Sequence, residues 1–317
     1  MRRLISNTLT HMLTQFTGLT ALLFSLSSVC VAADPSAVPL AAPVEAPSTT
    51  TLAAGSNSFS FTDTLSAPDK PVTVWYYKPA TLNAQTKVLF VMHGTKRNGE
   101  DYRNAWKAYA EKYQFLLVVP EFAERYFPSA AYQFGNVTNA NHTQWSFWVI
   151  EHLFDDLRQR ESLSAPTYYL YGHSAGAQFV HRFMIFMPSP RVEVAFSANA
   201  GSYTMPVYPT WSQARFPMSL DKDVVSETQL ATVFSRRLVV MLGEDDLQES
   251  GGHVPNSPQA RAEGKNRFER GQNFMKTAKE VAMTLNAPLK WELLTVAGVG
   301  HSDKGMSKTA VEYMFPK

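Results

Sequence analysis

The chain has 317 residues, 45% apolar and 18% charged, enough for a full hydrophobic core in one large domain or two small ones. Formal net charge is +2, and Arg2 and Arg3 supply it, so from Asp34 onward acid and base balance; no basic footprint for nucleic acid is present. The single cysteine, Cys30, excludes an internal disulfide framework.

Residues 1–33 read as a secretory signal peptide. Arg2 and Arg3 make a basic start, Leu19 to Ala33 is mostly apolar, and Val31-Ala32-Ala33 is a small-residue cleavage pattern. The apolar run is too short for a transmembrane anchor, and Val29 before Cys30 fits a lipoprotein signal poorly. The mature protein is therefore expected to be secreted or periplasmic, without a stable membrane anchor. Residues 34–56, rich in Ala, Pro, Ser and Thr, read as a disordered linker, and residues 57–317 as the folded domain.

Phe59 to Leu65 and Val72 to Tyr77 are predicted to be two strands of a meander. Lys87 to Met92 is a continuous apolar run, the mark of a central strand covered on both faces, and it ends in His93-Gly94-Thr95. Glu100 to Tyr113 places Tyr102, Trp106, Tyr109 and Tyr113 on one helical face. Phe115 to Val119 reads as another buried strand, closed by Pro120. A long aromatic loop from Phe122 to His142 precedes a helix from Trp145 to Arg160. Tyr168 to Tyr171 then forms a strand, and Ala175 to Met187 a helix with Phe179, Val180, Phe183 and Met187 in register. Val192 to Ser197 is the next strand. It leads into an excursion over 207–236 with one short helix, Glu227 to Phe234. Leu238 to Leu242 is a buried strand, 265–285 a helix, Leu289 to Val296 the last strand, and Met306 to Met314 a closing helix. Strands alternating with helices imply an α/β fold, a mainly parallel central sheet with helices on both faces. Active residues of such sheets gather at the carboxyl ends of strands.

Between the strand ending at Tyr171 and its helix lies Gly172-His173-Ser174-Ala175-Gly176, a G-x-S-x-G pentapeptide. Strand, tight turn and helix are the setting of a nucleophile elbow, which pushes the serine hydroxyl out of the turn. Serine is a poor nucleophile at neutral pH and needs a base with a third group to orient it. His301, in a Gly-rich turn after the last strand, is the base candidate. His173 and His181 read as structural or packed histidines. Asp245 and Asp246, after the strand ending at Leu242, both qualify as the acid, Glu244 less so. The chain order of nucleophile, acid and base is that of α/β-hydrolases. Two backbone N–H groups should form the oxyanion hole, those of Ala175 and Thr95. No histidine pair has metal-site spacing with a carboxylate, so neither metal nor other cofactor is expected.

His93-Gly94-Thr95, the pentapeptide, Gly243-Glu244-Asp245-Asp246 and Gly298-Val299-Gly300-His301 together resemble the α/β-hydrolase fold across residues 58–317. More narrowly, the chain is similar to secreted polyhydroxybutyrate depolymerase-like and feruloyl-esterase-like hydrolases, which share a His-Gly turn followed by an Asp-Tyr helix start, here Asp101-Tyr102. Those depolymerases usually carry cysteine where Thr95 stands, and they often add a polymer-binding domain. In such families Gly-x-x-Asp marks the acid, which implies Asp246. The resemblance implies a serine esterase acting on a small-molecule or oligomeric ester. A serine peptidase of the same fold and a non-catalytic binding relative are the alternatives. His93 reads first as an organiser of its loop; with Tyr203 and Trp145 it is also assigned to substrate binding. The aromatics Tyr126, Phe127, Tyr132, Phe134, Tyr208 and Trp211 are expected near the elbow, walling a short or aromatic acyl pocket. Lys96 and Arg97 are placed where they could attract a carboxylate.

Overall fold

The computed structural model describes residues 50–209 and 215–316. The expected signal peptide, the linker as far as residue 49, and Trp211 lie outside the described residues.

An eight-stranded sheet has the order β1-β2-β4-β3-β5-β6-β7-β8. The strands are β1 (Gly55–Phe61), β2 (Val72–Lys78), β3 (Val88–Met92), β4 (Leu116–Glu121), β5 (Tyr168–His173), β6 (Val192–Ala198), β7 (Leu238–Gly243) and β8 (Trp291–Val296). From β4 to β8 the pairing is parallel; β1 and β2 are antiparallel additions on one edge. The helices are α1 (Gly99–Tyr113), α2 (Ser129–Tyr132), α3 (Trp148–Arg160), α4 (Ala175–Phe186), α5 (Glu227–Phe234), α6 (Pro258–Glu263), α7 (Arg267–Thr284) and α8 (Asp303–Met314).

The continuous apolar runs have a direct cause in this arrangement. Successive side chains of a strand point to opposite faces, and here both faces are covered. Val88, Phe90 and Met92 enter one core with α3, α4 and α7, while Leu89 and Val91 enter the other with Trp106 of α1 and Met306 of α8. The same alternation divides Leu238, Val240 and Leu242 from Val239 and Met241 in β7.

The expected boundaries shift where tertiary contacts override the pattern. The fold starts before residue 57: Leu52 is buried, its N–H donates to Glu161 Oε1 at 2.6 Å, and β1 begins at Gly55. The small polar residues at the head of β1 pair through backbone and carry no apolar signal. β4 runs through Pro120, which pairs with Val74 of β2, whereas the ladder with β3 stops at Val118. The helix expected from Trp145 starts at Trp148, after a 3-10 turn at His142–Gln144. α8 starts at Asp303, because the Ser302 side chain accepts the Gly305 N–H and caps it.

Candidate active site

The pentapeptide turns between β5 and α4. Ser174 takes φ 58° and ψ −113°, a strained backbone held by its surroundings. Its N–H donates to Ala198 O at 3.0 Å. The flanking glycines are required by space. A Cβ on Gly172 would stand 2.3 Å from Gly176 O, and one on Gly176 would stand 2.1 Å from Met92 O. Ala175 begins α4, so its N–H is one of the helix's unpaired leading donors.

Three strand ends converge on Ser174. His301, from the turn after β8, brings Nε2 to 3.0 Å from Ser174 Oγ and Nδ1 to 2.7 Å from Asp246 Oδ2. With the proton on Nδ1, the ring donates to the carboxylate and accepts from the serine. Asp246 is buried, whereas Asp245 is exposed. The other oxygen of Asp246 accepts from Arg267 Nη1 at 3.1 Å, with both side chains only 1% exposed. Gly243 at the end of β7 lets the Asp246 turn lie against the His301 turn; a Cβ there would stand 2.3 Å from Val299 O. On the other side of Ser174, a Cβ on Gly94 would stand 3.8 Å from Ser174 Cβ, so the turn carrying Thr95 borders Ser174. Thr95 itself is exposed.

No protein-family model matches the chain, and no curated protein matches it. Among solved structures, poly(aspartic acid) hydrolase-1 from Sphingomonas sp. KT-1 is 36% identical with a TM-score of 0.77, over 82% of this chain and 98% of that one. The poly(3-hydroxybutyrate) depolymerase LpqC from Bordetella parapertussis is 30% identical with a TM-score of 0.78, over 83% of this chain and 90% of that one. This chain belongs to the esterase-like α/β-hydrolase family. An S-formylglutathione hydrolase from Agrobacterium tumefaciens, 14% identical at a TM-score of 0.53 over 83% of this chain and 95% of that one, shares the fold alone.

In this hydrolase the three residues assigned to substrate binding are corrected. His93 is fully buried. Its Nδ1 bonds Gly94 O at 3.0 Å and its Nε2 accepts the Phe122 N–H at 3.1 Å. Burial pushes its pKa down to about 3, partly offset by the Gly94 carbonyl, so the ring is a neutral brace for the Gly94 turn. Tyr203 is fully buried and stacked on Phe274 at 4.6 Å. Trp145 is buried against Phe186, the last residue of α4. Ser174 precedes the first residue, and a helix of that length spans roughly 18 Å.

Among the described residues, the aromatics expected around the elbow are likewise spent elsewhere. Phe127 and Tyr132 are core residues, Phe134 lies under the Arg182 guanidinium at 4.0 Å, and Tyr208 spends its hydroxyl on Val225 O. Tyr126 is partly buried and packs against the same core. Phe127 and Tyr132 thus join the core that holds Phe90 and Phe179, with Tyr126 and Tyr208 packed against it, where burying an aromatic face gains most. Arg97 turns inward, with Nη1 on Phe122 O at 2.8 Å and its guanidinium 4.2 Å from the Tyr132 ring centre; Lys96 remains exposed.

His173 and His181 are structural, as the sequence implies. His173 Nδ1 lies 3.1 Å from Tyr102 Oη, and His181 accepts the Thr204 N–H while bonding Ala177 O. Burial, and to a lesser degree neighbouring charge, hold both well below the ordinary histidine range. Tyr102, read from the sequence as part of the helix start and of the apolar face of α1, reaches the Gly94 turn: its hydroxyl is 3.0 Å from where a Gly94 Cβ would stand. Arg267 was not foreseen. It stands at the start of α7, behind the Asn266 cap, and no local pattern marks an arginine that folds back onto an acid in another loop.

Proposed function

We propose that the chain is a secreted serine hydrolase that cleaves carboxylic esters through Ser174, His301 and Asp246. His301 Nε2 takes the serine proton as Oγ attacks the ester carbonyl. The Ala175 and Thr95 N–H groups hold the oxyanion. The imidazolium then protonates the departing alcohol, which leaves an acyl-serine. Water, deprotonated by the same nitrogen, releases the acid and restores the hydroxyl. Asp246 holds the ring in the required tautomer. The observation that carries the reading is the unbroken relay of 3.0 and 2.7 Å hydrogen bonds across three separate strand ends.

The test is Ser174→Ala against the unaltered protein with a nitrophenyl ester and a fluorophosphonate probe. Hydrolysis and labelling should both vanish while the protein stays folded; a folded Ser174→Ala protein that still turns over the ester refutes the reading. Export is supported by the basic start, apolar run and Val31-Ala32-Ala33 site, and the exported protein should begin near Asp34 by N-terminal sequencing.

Polymers occur in the names of the two relatives described above, the poly(aspartic acid) hydrolase and the poly(3-hydroxybutyrate) depolymerase. An oligomeric hydroxyalkanoate ester is the substrate class that fits the ester reading. The poly(aspartic acid) hydrolase favours a second reading, attack on the amide bonds of an acidic chain, since both reactions begin with attack on an acyl carbon. Hydroxybutyrate oligomers and poly(aspartic acid), offered to the same preparation, separate the two.

A further inference from the structure

Asn199 is the first residue beyond β6 and takes a left-handed φ of 53°, a conformation asparagine adopts more readily than most residues. Its side chain is buried, at 1% exposure. Its Oδ1 accepts the Gly243 N–H at 2.8 Å, and its Nδ2 donates to Gly300 O at 3.1 Å. Gly243 closes β7 at the head of the turn that carries Asp246; Gly300 directly precedes His301. The backbone N–H of Asn199 donates to Met241 O at 2.9 Å, and the carbonyl of its neighbour Ala198 receives the Ser174 N–H at 3.0 Å. One dipeptide thus touches the loops of nucleophile, acid and base, although β6 contributes no side chain to the relay.

We infer that Asn199 is a positioning residue, whose carboxamide clamps the Asp246 turn to the His301 turn and so sets the spacing of the relay. The inference rests on the Ser174 reading above. The chemistry of the side chain is specific to the task. The clamp needs an acceptor facing Gly243 and a donor facing Gly300, about one amide width apart. Aspartate supplies no donor, serine is too short to span both, and glutamine carries its amide one methylene further from the backbone. A misplacement of about 1 Å in such a relay costs on the order of 100-fold in rate.

Three variants test it. N199D keeps the acceptor for Gly243 and turns an oxygen toward the Gly300 carbonyl. N199G keeps the backbone conformation and deletes both contacts. N199S retains one short hydroxyl. Active sites are counted by fluorophosphonate titration, so that kcat is expressed per competent serine, and thermal unfolding is followed beside the kinetics. The clamp predicts a fall of about 100-fold in kcat per site in N199D and N199G, with KM within about threefold and a parallel fall in the rate of serine labelling. N199S should lie between them and the unaltered protein, and it carries the test if the other two fail to fold. A kcat per site equal to that of the unaltered protein, whatever the melting temperature, overturns the inference and leaves Asn199 as loop packing. A raised KM at unchanged kcat also overturns it. Failure of the Ser174 reading is seen separately, as esterase activity that survives in Ser174→Ala.

Discussion

Asp246 is buried between His301 and Arg267, while the side chain of Asp245 is exposed. Asp246→Asn should reverse the hydrogen-bonding needed at Nδ1 and lower kcat about 10³–10⁴-fold, whereas Asp245→Asn should change it less than about threefold; steady-state kinetics on the pair decides. The ion pair behind Asp246 makes a different demand. Removing one partner of a buried pair leaves the other charge uncompensated and costs about 3–5 kcal/mol. Arg267→Met should lose stability of that order by urea denaturation, and Arg267→Lys should lose less because the charge remains. A loss below about 1 kcal/mol in Arg267→Met would mean that the site relaxes or hydrates.

At the scale of elements, the elbow and the helices around it obey different limits. The β5–α4 turn is limited by volume. Gly176→Ala would put a methyl against a backbone carbonyl that cannot yield, and should cost more than about 3 kcal/mol or prevent folding. Gly298, with φ 69° and open space around a would-be Cβ, should cost only about 1–2 kcal/mol as alanine; soluble yield and denaturation midpoints distinguish the two. α5 is limited by its cap. Ser226 accepts the Gln229 N–H while the Gln229 side chain accepts the Ser226 N–H. Ser226→Ala should therefore lower stability by about 1 kcal/mol and leave kcat unchanged, since α5 supplies no residue to the relay.

Across the whole molecule, burial of titratable groups sets how stability follows pH. His93 is held to about 3 by burial against roughly 6.5 in an unfolded chain. Between those values the unfolded chain binds a proton that the folded one does not, so this contribution is full above about pH 6.5 and is lost as pH falls. His173 and His181 act in the same direction. Glu263 acts in the opposite one. Burial raises it, with the Tyr203 N–H, Arg182 and Arg270 pulling part of the way back, so its contribution is present at low pH and fades as pH rises through its raised value. His93→Gln should make the fall in stability between about pH 6.5 and 4.5 shallower by up to about 1.4 kcal/mol per pH unit, read as the difference in denaturation free energy from the unaltered protein. An unchanged slope would place a charged ring in the folded protein.

Much of the fold and site was already set along the chain. The alternation of buried strands and helices, the elbow, and the strand-end positions of His301 and Asp246 are local signals. Periodicity, a tight turn and a strand end each depend on residues close together in sequence. Gly-x-x-Asp even singled out the buried carboxylate over its exposed neighbour. The failures share one cause. Whether Tyr203, Trp145, Tyr132 or Phe127 faces a substrate or a core depends on what arrives from elsewhere in the chain, and an aromatic residue has the same local signature in either place. The same holds for Arg267 on Asp246 and for Asn199 between Gly243 and Gly300. Their roles are contacts of long sequence separation, and only the packing of β6, β7, β8 and α7 decides them. Local pattern thus determined which strand ends carry Ser174, Asp246 and His301; the tertiary structure alone decided which side chains pack against those ends.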